Sequence, residues 1–445
     1  MSIALSTDLY ELTMIAGYYT AGLDGPATFE LYVRELPPNR ALLVAAGLEQ
    51  ALEYLEQLRF TAEDIAHLRE LPGLRGVPRA FFDDYLPRFR FTGDVWAVAE
   101  GVPVFPPAPL LRVTAPLPEA QLIETALLAI VGFQTSVASR AARIVEAAAG
   151  RRVVEFGSRR AHGIEAAVLA ARAAFIAGCE STSNVEAGRR FAFPVSGTMA
   201  HAWVTAFPTE EAAFRQYADV FRERTVILLD TYDTLAAARA VAASGLVAAA
   251  VRLDSGDLVA LSRDVRAILD AGGLRATKIF VSGDLDERRI EAIVQAGAPV
   301  DGFGVGAALS TVTDAPSLGA VYKLVEIERA GRAVPVAKSS PGKETHPGRK
   351  QVWRIFDGPT AVEDVIELED APAPPALAGV PPVALLARVM HAGHREQSPV
   401  PVSQIQARHL AEIVRLPREV RRLTDAARYP VRIGIAQARA IEELR

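Results

Sequence analysis

The chain predicts an α/β fold: an irregular parallel α/β barrel of about six to seven strands, plus a flanking α/β domain built from both chain ends. Three observations carry this expectation. Between residues 224 and 309 one pattern recurs: an apolar run, a polar tip, then a stretch with helical periodicity. The tips are Asp230-Thr-Tyr-Asp233, Asp254-Ser-Gly-Asp257, Ser282-Gly-Asp284 and Gly304-Val-Gly306. Several helical stretches close on glycine, at Gly178, Gly245, Gly272 and Gly297, as helix C-termini do. Strict alternation of strands and helices implies a parallel sheet, and six or seven units favour an irregular barrel over an eightfold one.

In chain order, Asp8 with Glu11 resembles a capping box opening a helix. Ala27–Val33 alternates like a strand, and Ala46–Leu58 has helical spacing. Asp94–Ala99 and Leu110–Thr114 are strand candidates around a proline-rich turn. Glu119–Ala149 reads as helix, interrupted at Gly132 and closed by Gly150. The alternating region then supplies strands at Arg152–Phe156, Phe193–Val195, Val226–Leu229, Val247–Leu253, Ile279–Val281 and Val300–Val305. Its helices are Ile164–Ala177, Leu235–Ala243, Leu258–Ala271 and Glu287–Ala296. After 320 come strand-like runs at Tyr322–Ile327, Gln351–Phe356 and Val365–Leu368, a proline-rich stretch from Ala371 to Pro382, and an arginine-rich helical end from Val402. The expected domains are an N-terminal α/β domain at 1–130, a central barrel at 131–330, and a segment at 331–445 packing on the N-terminal domain.

Composition narrows the function classes. A chain of 445 residues has room for two or three domains, and no apolar run of about 18 residues reads as a membrane span. The first residues lack the pattern of a secretory signal. A single cysteine, Cys179, excludes an intrachain disulfide and a cysteine-cluster zinc site, so a cytoplasmic protein without zinc or membrane attachment is expected. A net charge of −5 argues against a nucleic-acid partner. Of 48 basic residues only five are lysines, at 278, 323, 338, 343 and 350, and three fall in the turn-rich segment 338–350. Compact ammonium groups there suit contacts to phosphate.

The tips should lie together at the C-terminal ends of neighbouring parallel strands, where ligand sites in such folds are built. Asp254, followed by a glycine that admits a ligand to the backbone, is the first candidate for a carboxylate facing ribose or metal. Asp257, Asp284, Asp230 and Asp233 are others, and any of them could equally be a helix N-cap. Ser282, Gly283, Asp284, Gly304 and Gly306 suit phosphate held by backbone N–H groups, or simply turns that need glycine.

Seven segments in order resemble the nicotinate phosphoribosyltransferase family: Ser6–Thr13, Glu155–Arg159, Ser181–Asn184, Gly197–His201, Arg252–Asp257, Ser282–Asp284 and Gly304–Gly306. The resemblance implies ATP-coupled transfer of phosphoribosyl from phosphoribosyl pyrophosphate to nicotinate, giving nicotinate mononucleotide and pyrophosphate for NAD; the carboxylates of the rim suit Mg²⁺ beside the phosphates. It implies a homodimer with a shared active site. His201 matches a histidine that ATP transiently phosphorylates; Asp254 and, beside it, Asp257 remain the rim's own candidates for a ribose or metal carboxylate. Phe156 and Tyr10 match ring-stacking aromatics, Tyr10 reaching in from a partner subunit; Arg159 and Arg252 match pocket arginines. Ser183 stands where nicotinamide-specific relatives carry an aspartate, so the acid is favoured over the amide. Ser181 departs from the glycine usual in relatives. Lys338, Lys343 and Lys350 fall in the family loop expected near pyrophosphate or ATP. Competing readings are a nicotinamide or quinolinate phosphoribosyltransferase of the same fold, a phosphate-binding barrel isomerase or aldolase, and a non-catalytic metabolite-binding protein.

Overall fold

The computed structural model describes residues 2–338, 340 and 344–444. The chain divides into two compact units, one of residues 1–136 with 317–445, the other of residues 137–316. Mixed α/β architecture with a parallel barrel-type sheet and a second sheet region drawn from both chain ends matches the expected class.

The unit of residues 137–316 carries six strands: β1 (Arg152–Glu155), β2 (Ser181–Thr182), β3 (Val226–Leu228), β4 (Ala250–Leu253), β5 (Lys278–Val281) and β6 (Gly302–Val305). They pair in parallel in the order β2-β1-β6-β5-β4-β3. This is the cyclic order of a barrel opened between β2 and β3. The expected strand at Phe193–Val195 shrinks to a single bridge, Thr182 to Val195, beside that opening. Alternation along each strand sorts the side chains. Val251, Leu253, Ile279, Val281, Phe303 and Val305 are completely buried, whereas Arg252 and Phe280, on the opposite face, are only partly so.

The helices between strands form where polar caps precede apolar periodicity. Asp233, Asp257 and Asp286 each accept backbone N–H groups at the start of Thr234–Ala243, Leu258–Ala271 and Glu287–Gln295. Gly132 does not interrupt its helix, which runs from Glu124 to Ala147. One interior glycine costs only about 1 kcal/mol, which packing along so long a helix overrides.

The other unit is built on a seven-stranded sheet in the order 332–335, 320–329, 26–33, 109–116, 94–98, 386–391, 394–395, and a four-stranded sheet in the order 383–384, 350–357, 360–368, 431–433. Leu12, Ile15, Phe29, Leu31, Leu55, Phe81 and Val113 belong to its core, and Phe29 stacks on Tyr322 at 4.9 Å. The capping box expected at Asp8 is not formed. Glu11 is fully buried and instead accepts from the Thr125 N–H at 2.9 Å, at the start of the Glu124–Ala147 helix. Among the described residues no helix is long and apolar enough to cross a membrane.

Candidate active site

Arg252 organises the rim of the parallel sheet. It sits on β4 beside Phe280 of β5, and its guanidinium reaches toward the strand ends. Nε donates to Ser282 Oγ at 2.8 Å, Nη1 to Thr198 Oγ1 at 2.8 Å and to the Met199 carbonyl at 3.3 Å, and Nη2 to Asp254 Oδ1 at 2.8 Å. One side chain therefore draws together three segments that the sequence singled out: Gly197–His201, Arg252–Asp257 and Ser282–Asp284.

Asp254 accepts from Arg252 and from Ser282 Oγ through the same oxygen. Burial works to raise its pKa, but the Ser282 and Arg252 hydrogen bonds and the Arg252 charge outweigh it and hold the carboxyl below its ordinary range. Its other oxygen faces His201 Nε2 at 3.9 Å. The imidazole opens the short helix His201–Thr205, is about half exposed, and shares a hydrogen bond between Nδ1 and Thr231 Oγ1 at 3.2 Å. Asp230 Oδ2 receives the Asp254 N–H at 2.9 Å and the Ser255 hydroxyl. Asp230 Oδ1 is buried with no hydrogen-bond partner among the described residues.

Gly283 requires its identity. Its φ is +96°, and a Cβ there would lie 1.9 Å from the Asp254 carbonyl oxygen. Asp284 also has positive φ, at 48°, and Arg289 fixes the turn by donating to the carbonyls of Gly283 and Asp284 at 3.3 and 2.9 Å.

Farther along the strand order Phe156 and Ser183 follow directly on β1 and β2. The Arg252 guanidinium lies 5.8 Å from the Phe156 ring centre. Buried Glu155 accepts from Gly157 N–H and Thr182 Oγ1, which shapes the turn leading to Arg159. Arg159 is exposed and makes no hydrogen bond or ion pair among the described residues. Asn184 caps the helix Val185–Phe191 and donates to Ser158 Oγ at 3.0 Å.

Residues 5–132 match the nicotinate phosphoribosyltransferase (NAPRTase) N-terminal domain, and residues 151–354 match the NAPRTase family. The nicotinate phosphoribosyltransferase pncB2 of Mycobacterium tuberculosis is 44% identical, over 97% of this chain and 91% of its own length. That of Bacillus subtilis is 46% identical over 80% and 74%. The crystal structure of human nicotinic acid phosphoribosyltransferase matches with a TM-score of 0.85 at 29% identity, over 98% of this chain and 99% of its own. The chain belongs to the nicotinate phosphoribosyltransferase family.

Several residues matched to this family's motifs do not join the cluster around Arg252. Asp257 Oδ1 is occupied in capping Leu258–Ala271, which accounts for its place without a metal. Gly304 lies inside β6, where a Cβ would meet the Phe156 ring at 2.5 Å. The ring by itself accounts for its small size. Gly306, with φ of −103°, precedes the short helix Ala307–Ser310. In the unit of both chain ends, Tyr10 is half exposed on the helix Leu9–Ala21, where burial and the Glu124 and Glu11 carboxylates raise its pKa. Lys338 is exposed, and its backbone pairs with Thr345. Lys343 lies outside the described residues. Lys350 departs from its expected role in a phosphate loop: its ammonium is buried, paired with Glu30 at 2.9 Å, and donates to the His346 and Gly348 carbonyls. A cation so enclosed is a structural group.

Two features escaped the sequence reading. Phe280 lies 6.1 Å from Phe156, centre to centre, and only its place in a two-residue alternation opposite Gly302-x-Gly304 signals it. Buried Arg140 pairs with Glu287 and Asp314, behind the tips of β5 and β6, and no local motif marks it.

Proposed function

We propose that this chain transfers phosphoribosyl from phosphoribosyl pyrophosphate to nicotinate, forming nicotinate mononucleotide and pyrophosphate with coupled ATP hydrolysis. The observation that carries it is the fan of hydrogen bonds from Arg252, which sets a cation and an ionised carboxylate on one rim. The pyridine nitrogen lone pair attacks the anomeric carbon, the bond from that carbon to the pyrophosphate oxygen breaks, and the electron pair leaves with pyrophosphate. Positive charge develops on the ribose as the leaving group departs, and Asp254, kept ionised, is suited to stabilise it. Phe156 offers a face to the pyridine ring, while Arg252 and Arg159 supply positive charge for its carboxylate. Ser183 adds no negative charge there. Gly283 and Gly306 leave backbone close to the phosphates.

The donors on this rim suit Mg²⁺ brought in by the substrate. Asp254 Oδ2 and the unpartnered Asp230 Oδ1 are hard oxygens just past the ends of neighbouring strands. No cluster of three or more metal-ligating side chains occurs among the described residues, and Mg²⁺ characteristically takes only one or two carboxylates beside phosphate oxygens. Bound there, it would offset charge on the leaving pyrophosphate. His201 would take the γ-phosphoryl group of ATP: an imidazole nitrogen attacks phosphorus, ADP leaves, and water later releases phosphate. In this reading Lys338 and Lys343 serve the phosphate loop, and Tyr10 completes the base subsite of a second copy in a homodimer. A reducing, cytoplasmic setting agrees with Cys179 as a buried thiol.

The test is pyrophosphate release with nicotinate, nicotinamide or quinolinate in competition. Nicotinate should dominate, Asp254→Asn should nearly abolish turnover, and His201→Ala should lose ATP stimulation while keeping basal activity. Preference for nicotinamide or quinolinate would overturn the substrate assignment, and a normal ATP response in His201→Ala would overturn the role of the histidine.

A further inference from the structure

We propose that Phe280 is the inner wall of the base subsite and decides which substituents the pyridine ring can carry at its 4-position; this rests on the base subsite described above. Phe280 stands in register with Arg252 on β4 and with Gly302 on β6. Its neighbours Ile279 and Val281 are completely buried on the opposite face, while the Phe280 ring keeps an open side. A large apolar surface left open beside a guanidinium and a second aromatic ring is the lining of a ligand pocket.

The glycines of β6 show that this space is shaped around rings. A Cβ at Gly302 would lie 2.7 Å from the Phe280 ring, and one at Gly304 would lie 2.5 Å from Phe156 and 3.1 Å from Phe280. Both rings therefore lie down on the strand, and a side chain at either position would lift one of them. The rings are tilted by 55° at 6.1 Å, so they do not stack on each other. Phe156, Arg252 and Phe280 then bound a flat anion on three sides, with Arg252 5.8 Å from the centre of Phe156.

The chemistry fixes how a pyridine carboxylate must sit there. Its nitrogen faces the anomeric carbon, which is held at the rim beside Asp254 and Ser282. The ring atom opposite the nitrogen, C4, therefore points inward. Phe280 lies two residues before Ser282 on the same strand, one alternation step inward from the rim. A group on C4 meets Phe280, while the 3-carboxylate is directed to the side.

The experiment compares kcat/KM for nicotinate and 4-methylnicotinate in the wild type, Phe280→Ala and Phe280→Leu. The methyl group alters pyridine basicity equally for every variant, so the ratio between substrates isolates the wall. Wild type should disfavour 4-methylnicotinate by on the order of ten- to a hundredfold, as one methyl does in an apolar pocket. Phe280→Ala should shrink that ratio about tenfold or more, chiefly through KM, with KM for phosphoribosyl pyrophosphate changed by less than about threefold. Phe280→Leu, which keeps more of the volume and supports the fold, should fall between. Equal selectivity in the wild type and the folded variants would overturn the assignment. Failure of the wild type to use nicotinate would instead overturn the parent reading, and this inference with it.

Discussion

Replacing Arg140 with methionine probes the support behind the tips of β5 and β6. The Arg140 side chain is 4% exposed and reaches Glu287 at 2.7 Å and Asp314 at 2.9 Å, while Arg143 reaches Glu287 at 3.3 Å. Glu287 opens the helix that follows Ser282–Asp284, and Asp314 lies in the segment that follows Gly304–Gly306. Methionine keeps the apolar stem but leaves two carboxylates short of a cation. Removing one partner of a buried pair costs about 3–5 kcal/mol. Arg143 remains on Glu287, and Asp314 is 24% exposed, so solvent screening reduces its share. A loss of about 2–3 kcal/mol is expected, or roughly 4–12 °C in Tm at about 2–4 °C per kcal/mol for a unit of this size. Calorimetry measures the shift in Tm, and a double-mutant cycle with Glu287→Gln should show strong non-additivity. With both tips loosened, KM for phosphoribosyl pyrophosphate should rise more than KM for nicotinate. A Tm drop below about 2 °C, or additive losses in the cycle, would refute the reasoning.

Gly283→Ala combines a positive φ with a Cβ 1.9 Å from the Asp254 carbonyl, so kcat/KM for phosphoribosyl pyrophosphate should fall by on the order of tenfold or more; a change below about twofold sinks the argument. Asp254, with a folded pKa below its unfolded value, contributes stability that is present above about pH 4 and lost as pH falls through the depressed value. Ser282→Ala removes one hydrogen bond that lowers this pKa, so the acid limb of unfolding should move to higher pH, and an unmoved limb in an acid titration would contradict the assignment. Burial, with the nearby Glu155 carboxylate, pushes the Cys179 thiol well up. Native protein should resist alkylation near neutral pH and react once unfolded, and stoichiometric labelling of folded protein by mass spectrometry would disprove its burial.

Much of the fold was legible because its signals are local. The helix Leu258–Ala271 has the limits that its cap and periodicity predict, β4 and β6 lie within the predicted runs, and β5 starts one residue before its own. What failed depends on distant contacts. Asp8 and Glu11 have the spacing of a capping box, but Glu11 caps another helix more than a hundred positions away. Phe193–Val195 has strand character, yet at the opening between β2 and β3 it finds only one bridging partner. Gly132 reads as a break only if the helix is judged by propensity alone.

For the site, sequence identified residue types that chemistry needs but could not divide the glycines by purpose. Gly283 lies within the tip Ser282–Asp284 and Gly304 opens the tip Gly304–Gly306, and both suggest phosphate on that pattern. Their surroundings separate them. Gly283 is required by positive φ and by the Asp254 carbonyl pressed against it, which is a constraint on the rim itself. Gly304 is required by an aromatic ring that arrives from β1, a strand distant in sequence and adjacent only through the barrel order. The same distinction sorts the lysines: Lys350 ends the basic segment in sequence, but a partner on the strand Pro26–Val33, Glu30, claims its charge. Glycine spacing thus located the tips, while the neighbours across strands account for part of the glycine pattern through the rings packed on β6.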